Sequence, residues 1–157
     1  MNKPKVYIET TMFNYYFDKD RDAHLATVAF FEAIGSGNYE AYTSQYAVDE
    51  LLKAPEPKKS DMLGLLKKYE IVVLPPNEDV RHLADVYLEN EGIPEKKRLD
   101  ALHIAIASIN RLDFIVSCNF KHINKLKTKR MVEYVNFNQG YNNIIICRPE
   151  EIIDYEE

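Results

Sequence analysis

Apolar residues along this chain fall into two alternating spacings. Short runs rich in β-branched and aromatic residues, Val6 to Ile8, Glu40 to Thr43, Ile71 to Leu74, Phe114 to Ser117 and Ile144 to Cys147, predict strands. Between them, stretches with apolar residues three and four apart predict helices near Ala23 to Ile34, Tyr46 to Lys53, Asp61 to Tyr69, Asp79 to Glu91 and Arg98 to Asn110. That alternation predicts an α/β fold, a three-layer α/β/α sandwich around a central parallel sheet of about five strands. Pro55-Glu56-Pro57, Pro75-Pro76 and Gly92-Ile93-Pro94 are the punctuation, the last stopping one helix just ahead of the next. Neither repeats nor a linker interrupt the pattern, so residues 1–157 are expected to form one domain.

Composition narrows the class. At 157 residues and 46% apolar content the chain can bury one substantial core. No stretch approaches the roughly 20 apolar residues of a membrane helix, and the start lacks a secretory signal, so a soluble cytoplasmic protein with no membrane partner is expected. Cys118 and Cys147 end two predicted strands without the paired spacing of a zinc site, and read as reduced core thiols. The net charge of -5 offers no global attraction to nucleic acid. Binding a polyanion would then require a local basic patch or bridging cations.

In open parallel sheets, ligands bind beyond the carboxyl ends of the strands. Glu9 follows the first predicted strand, Ser44 the second, and Ser117-Cys118-Asn119 the fourth, so three strand ends converge on one candidate site. Glu9 alone reads equally as a surface acid at a strand end; Thr10 and Thr11 after it are hydroxyl donors or helix caps. Glu50 sits in a helix that Ser44 is placed to cap, and its neighbour Asp49 has Lys53 at ion-pair spacing, which leaves Glu50 without that explanation.

Asp100 opens a helix that is apolar on nearly every face. Complementing the helix dipole is the plain reading of such an acid, and metal binding the functional one. His103 one turn later is open to two readings, a ligand or proton carrier and a hydrogen-bonded histidine at the core edge. Asn119 is a helix cap or a neutral oxygen ligand. As a set, Glu9, Glu50, Asp100 and Asn119 suit magnesium or manganese far better than zinc. A bound water, deprotonated, is then a nucleophile for a phosphodiester. Without metal such acids repel, which predicts a raised pKa for at least one. Downstream, Lys121, His122, Lys125, Lys127, Lys129 and Arg130 form a basic segment, either a solvated helix face or a set of phosphate contacts.

At these residues the chain resembles the PIN-domain proteins, the ribonuclease fold of the toxin half of many toxin-antitoxin pairs. The resemblance rests on Tyr7-Ile8-Glu9-Thr10-Thr11, Val48-Asp49-Glu50-Leu51, Asp100-Ala101-Leu102-His103-Ile104-Ala105 and Ser117-Cys118-Asn119-Phe120-Lys121-His122. It implies a Mg2+- or Mn2+-dependent RNA endonuclease with Glu9, Glu50, Asp100 and Asn119 at the metal, and Thr10, His103, Lys121, His122 and Lys125 as candidate substrate contacts. It also implies RNA as substrate and a cognate antitoxin protein as partner. Two positions depart from the family pattern: Glu9 stands where aspartate is common, and Asn119 where aspartate is frequent. A PIN-like module that binds RNA or protein without efficient catalysis is the competing reading. A flavodoxin-like nucleotide-binding domain is disfavoured, because none of the five glycines forms a phosphate loop after the first strand. Phe13, Tyr15, Tyr16 and Phe17 either form a homodimer patch or pack on the sheet.

Overall fold

The computed structural model describes residues 2–155. Five strands, β1 (Lys5–Ile8), β2 (Glu40–Ser44), β3 (Val72–Leu74), β4 (Phe114–Val116) and β5 (Ile145–Cys147), alternate with helices α1 (Thr10–Tyr15), α2 (His24–Gly35), α3 (Gln45–Leu52), α4 (Lys58–Lys68), α5 (Glu78–Glu89), α6 (Arg98–Ile109), α7 (Leu126–Gln139) and α8 (Pro149–Tyr155). A single 3₁₀ turn, Glu95–Lys97, leads into α6. The sheet order is β3-β2-β1-β4-β5 and every pairing is parallel. Tyr7 faces Tyr42 on one side and Ile115 on the other, which fixes the register at the centre of the sheet.

Alternation along the short strands sends their side chains into two cores. Tyr7, Ile115 and Ile146 join Leu83, Tyr87, Ile104 and Val132, the inner faces of α5, α6 and α7. Val6, Ile8, Phe114 and Val116 join Met12, Phe30, Phe31, Leu51 and Leu65 beneath α1, α2, α3 and α4. These are the three layers the sequence predicts, and β1 lies at their centre. Phe13 is buried against Phe31, and Tyr16 packs edge-on to Phe31 and Tyr69, so this part of the early aromatic cluster belongs to the core. Cys118 and Cys147 are free and buried, which pushes both thiols up to about 12. No helix among the described residues is long and apolar enough to cross a membrane.

The order reversal lies at β1, flanked by β2 and β4, where connections leave in opposite directions. A crevice opens at such a point beyond the carboxyl ends of the strands. Glu9, Ser44 and Ser117 immediately follow or close those three strands.

Candidate functional site

Glu9 follows β1 directly and caps α1 from an extended backbone. It is 3% exposed, so its carboxylate takes protein donors in place of water. Its Oε1 accepts from the Thr11 amide at 3.2 Å and the Ser117 hydroxyl at 2.7 Å, and also from the Thr11 hydroxyl. Burial still pushes its pKa up, against the opposing pull of His103 and of these hydroxyls.

Glu50 comes from α3, which Ser44 caps by accepting from the Ala47 amide. Its Oε1 accepts from the Thr10 hydroxyl at 2.5 Å and meets His103 Nε2 at 2.8 Å. Burial raises its pKa, but the hydrogen bond and charge of His103, with Thr10 and Lys53, outweigh burial and leave it below the usual carboxylate value. His103 itself is 1% exposed on α6. Its Nδ1 lies 2.5 Å from the Tyr7 hydroxyl, which lies 2.7 Å from Ser44 Oγ. Burial disfavours the imidazolium, yet the bond to Glu50 and the charges of Glu9, Glu50 and Asp100 raise its pKa overall.

Asp100 occupies the first turn of α6. Its Oδ1 accepts from Asn119 Nδ2 at 3.2 Å, while its Oδ2 is buried and accepts no hydrogen bond among the described residues. Burial raises its pKa, against His103, His122 and Asn119. The Asn119 oxygen is turned away, accepting from the His122 amide at 3.0 Å, so the amide nitrogen faces Asp100.

Glu9, Glu50, Asp100 and Asn119 line one cavity of about 410 Å³, together with Thr10, Asn14 and Lys58. The other residues singled out in the sequence stand elsewhere. His103 lies behind the cavity wall and touches it through Glu50 and Thr10. His122 and Lys125 line a separate cavity of about 490 Å³ with Lys127, Glu89, Glu91 and Glu95. Lys121 is exposed on the loop ahead of α7. Ser117, at a strand end the sequence had placed by the site, holds Glu9, whereas Tyr7 and Lys58 were not singled out by sequence reasoning. Tyr7 alternates as an ordinary core position in β1, and nothing local marks its hydroxyl as facing a histidine ninety-six residues away in the chain.

The three carboxylates share one pattern: the hydrogen bonds fall on a single oxygen of each, Glu9 Oε1, Glu50 Oε1 and Asp100 Oδ1. Each acid is therefore anchored by one oxygen and keeps the other. Among the described residues no three His, Cys, Asp or Glu side chains stand close enough to enclose a metal ion unaided. The donor chemistry does fit magnesium, which usually takes one or two carboxylates and keeps several waters. The unpartnered buried oxygen of Asp100 is the atom a cation would satisfy.

A family model described as PIN domain matches residues 6–126, from β1 to the start of α7. The chain belongs to the PIN domain family. All four cavity residues lie inside the matched stretch, whereas most of α7, with β5 and α8, lies beyond it. Among solved structures, this PIN domain is similar to VapBC2 from Rickettsia felis bound to a DNA fragment from their promoter, over 92% of this chain and 98% of that one, with a TM-score of 0.57 at 14% identity. VapC20 of Mycobacterium tuberculosis, a sarcin-ricin loop cleaving toxin, aligns over 70% of this chain and 86% of that one, with a TM-score of 0.49 at 11% identity. At such identities the likeness to VapBC2 is one of fold. No curated protein matches the sequence.

Proposed function

We propose that this PIN domain is a divalent-metal-dependent endoribonuclease of the toxin type, hydrolysing RNA phosphodiesters, with a cognate antitoxin protein as its partner. One observation carries the reading: Asp100, which lines the cavity together with Glu9 and Glu50, has one buried carboxylate oxygen with no hydrogen-bond partner among the described residues. Glu50 and Asp100 would hold Mg2+ or Mn2+, with Glu9 adding negative charge behind them. When bound, the cation supplies charge neutralisation at the scissile phosphate and a lowered pKa for attacking water. His103 and Thr10 hold Glu50 in one orientation through Oε1. Asn119 does the same for Asp100 through Oδ1. Lys58, on the cavity wall, is placed to meet a phosphate oxygen of the substrate. RNA is proposed as the substrate class on the family match and the cavity chemistry.

The test is cleavage of structured and unstructured RNA in magnesium, manganese and chelator, run on the parent, Glu50→Gln and Asp100→Asn. Cleavage should require metal and fall at least a hundredfold in either variant, with magnesium affinity reduced by calorimetry. Undiminished cleavage in chelator would overturn the reading. The amide nitrogen that Asn119 turns toward Asp100 in place of an oxygen favours the alternative of a binding module, which would show neither cleavage nor a magnesium-dependent melting shift.

A further inference from the structure

Helix α7 carries apolar side chains on both of its faces. Thr128, Met131, Val132, Val135 and Asn136 are buried, with Asn136 bonded to Tyr87 and Ser108 and Thr128 to Gly92. On the far side Leu126, Tyr134 and Phe137 are 66%, 63% and 83% exposed. A helix with one buried stripe ordinarily turns polar residues to water, so two rings left there need a cause. Lys129, Arg130 and Glu133 stand among them on the same outward face of α7. Positions 126, 130, 134 and 137 recur at helical spacing and form one stripe, about 16 Å long at roughly 1.5 Å per residue.

Charge selects the occupant. The protein carries a net charge of -5, yet this face of α7 holds two cations, Arg130 on the stripe and Lys129 beside it, against one acid, and Lys121, Lys125 and Lys127 precede it. Cations interleaved with flat rings are what sequence-tolerant recognition of a single strand requires, since every base has a face to stack and every linkage a charge. We infer that this stripe of α7 holds a single-stranded segment of RNA, with Tyr134 and Phe137 stacked on bases and Lys129 and Arg130 against phosphates.

That the strand is RNA rests on the ribonuclease reading. Because α7 links parallel β4 to β5, it starts at the carboxyl edge of the sheet, beside the acid cavity, and runs back toward the amino edge. A strand on the stripe therefore leads away from the cavity, with Leu126 nearest and Phe137 farthest.

The experiment is fluorescence anisotropy of a short labelled single-stranded RNA, in chelator and in magnesium, on the full chain. Replacing Tyr134 and Phe137 together by alanine should weaken binding at least tenfold, whereas Tyr134→Phe, which keeps the ring, should bind like the parent. Lys129→Gln with Arg130→Gln should weaken binding and flatten its salt dependence. Parent affinity in the double alanine variant overturns the α7 assignment and leaves the ribonuclease reading standing wherever the parent still cleaves. A parent that binds through α7 but never cleaves keeps the assignment and ends the ribonuclease reading. Loss of self-association in sedimentation, with RNA affinity unchanged, reassigns the stripe to a second copy of the chain and overturns the inference, as does a parent that binds no RNA.

Discussion

Asp100 is held in a way that works against the bare fold. Its carboxylate has one oxygen on Asn119 and one buried oxygen on nothing among the described residues. The resulting rise in pKa comes first from burial, and the charge of Glu50 comes last among its causes. The repulsion expected from clustered acids is thus present but minor. A raised acid favours the folded state only while protonated, so stability is lost as pH rises from the unfolded value of 3.8 through the folded one, and the full penalty is present at neutral pH. Asp100→Asn should therefore melt higher than the parent in chelator at pH 7, by about 2–4 °C for a relief near 1 kcal/mol. The gain should vanish toward pH 4, and the magnesium-dependent shift should be lost. An unchanged magnesium shift in thermal melts would count against the site. His103 has the same sign, because its pKa is raised too, but here it is the charged form that the fold favours. Its pKa is raised by Glu50, so its contribution is complete below the unfolded value of 6.5 and is lost as pH rises through the folded one. His103→Gln should cost about 3–5 kcal/mol at pH 6 in denaturant unfolding, and less at higher pH. The positions of Glu9, Asp100 and Asn119 were legible because each follows a strand or opens a helix, whereas Glu50, well inside α3, stood out only as an acid without an assigned ion-pair partner. Which atom of Asn119 faces Asp100 was not, since the His122 amide that decides it exists only in the folded turn.

All five strands were legible to within a residue at either end, because β-branched runs bounded by turns leave little alternative. Three helices were not. The six residues of α1 and seven of α8 span too little chain to show a period. The longer α7 is obscured for another reason: the exposed Leu126, Tyr134 and Phe137 cancel the contrast between its faces, so only its basic start stands out. What locks α7 in place is equally invisible locally. The Gly92 carbonyl accepts from the Thr128 hydroxyl at 2.9 Å. A Cβ built on Gly92 would lie 2.5 Å from that of Met131. That contact is with the base of the methionine side chain, so rotation about its outer bonds cannot relieve it and the segments must part. Gly92→Ala is expected to destabilise by about 1–3 kcal/mol. Hydrogen exchange should show the loosening concentrated in α7, with β1 and β2 still protected; uniform loosening would mean that Gly92 does not act through α7. By contrast Asn77→Ala, which removes the cap that accepts from the Val80 amide at 2.9 Å, should cost about 1 kcal/mol without altering magnesium or RNA binding.

An acidic molecule proposed to act on RNA must divide its charge, and here the acids and the cations lie at the two ends of the loop that carries Asn119 and Lys121. The carboxylates gather at the cavity that Asn119 borders, and the cations begin at Lys121 and continue into α7. A cation at the acids and lysines along the helix would then act on different phosphates, one positioning the reacting linkage and the others the flanking strand. The lysines are not equivalent. Lys125 and Lys127 line a cavity shared with Glu89, Glu91 and Glu95, which offset part of their charge, whereas Lys129 stands with Arg130 on the outward face of α7. Replacing Lys125, Lys127 and Lys129 together by glutamine should weaken RNA binding across sequences. Each phosphate contact removed should lower the slope of log affinity against log salt by about 0.7. Of the three single variants, Lys129→Gln should account for the largest share of that change. Magnesium affinity measured by calorimetry should stay at the parent value, because none of these lysines lines the acid cavity. Binding measured over a salt series, in chelator and in magnesium, separates the two contributions. If the triple variant keeps the parent slope, Lys125, Lys127 and Lys129 form a solvated helix face and make no phosphate contact.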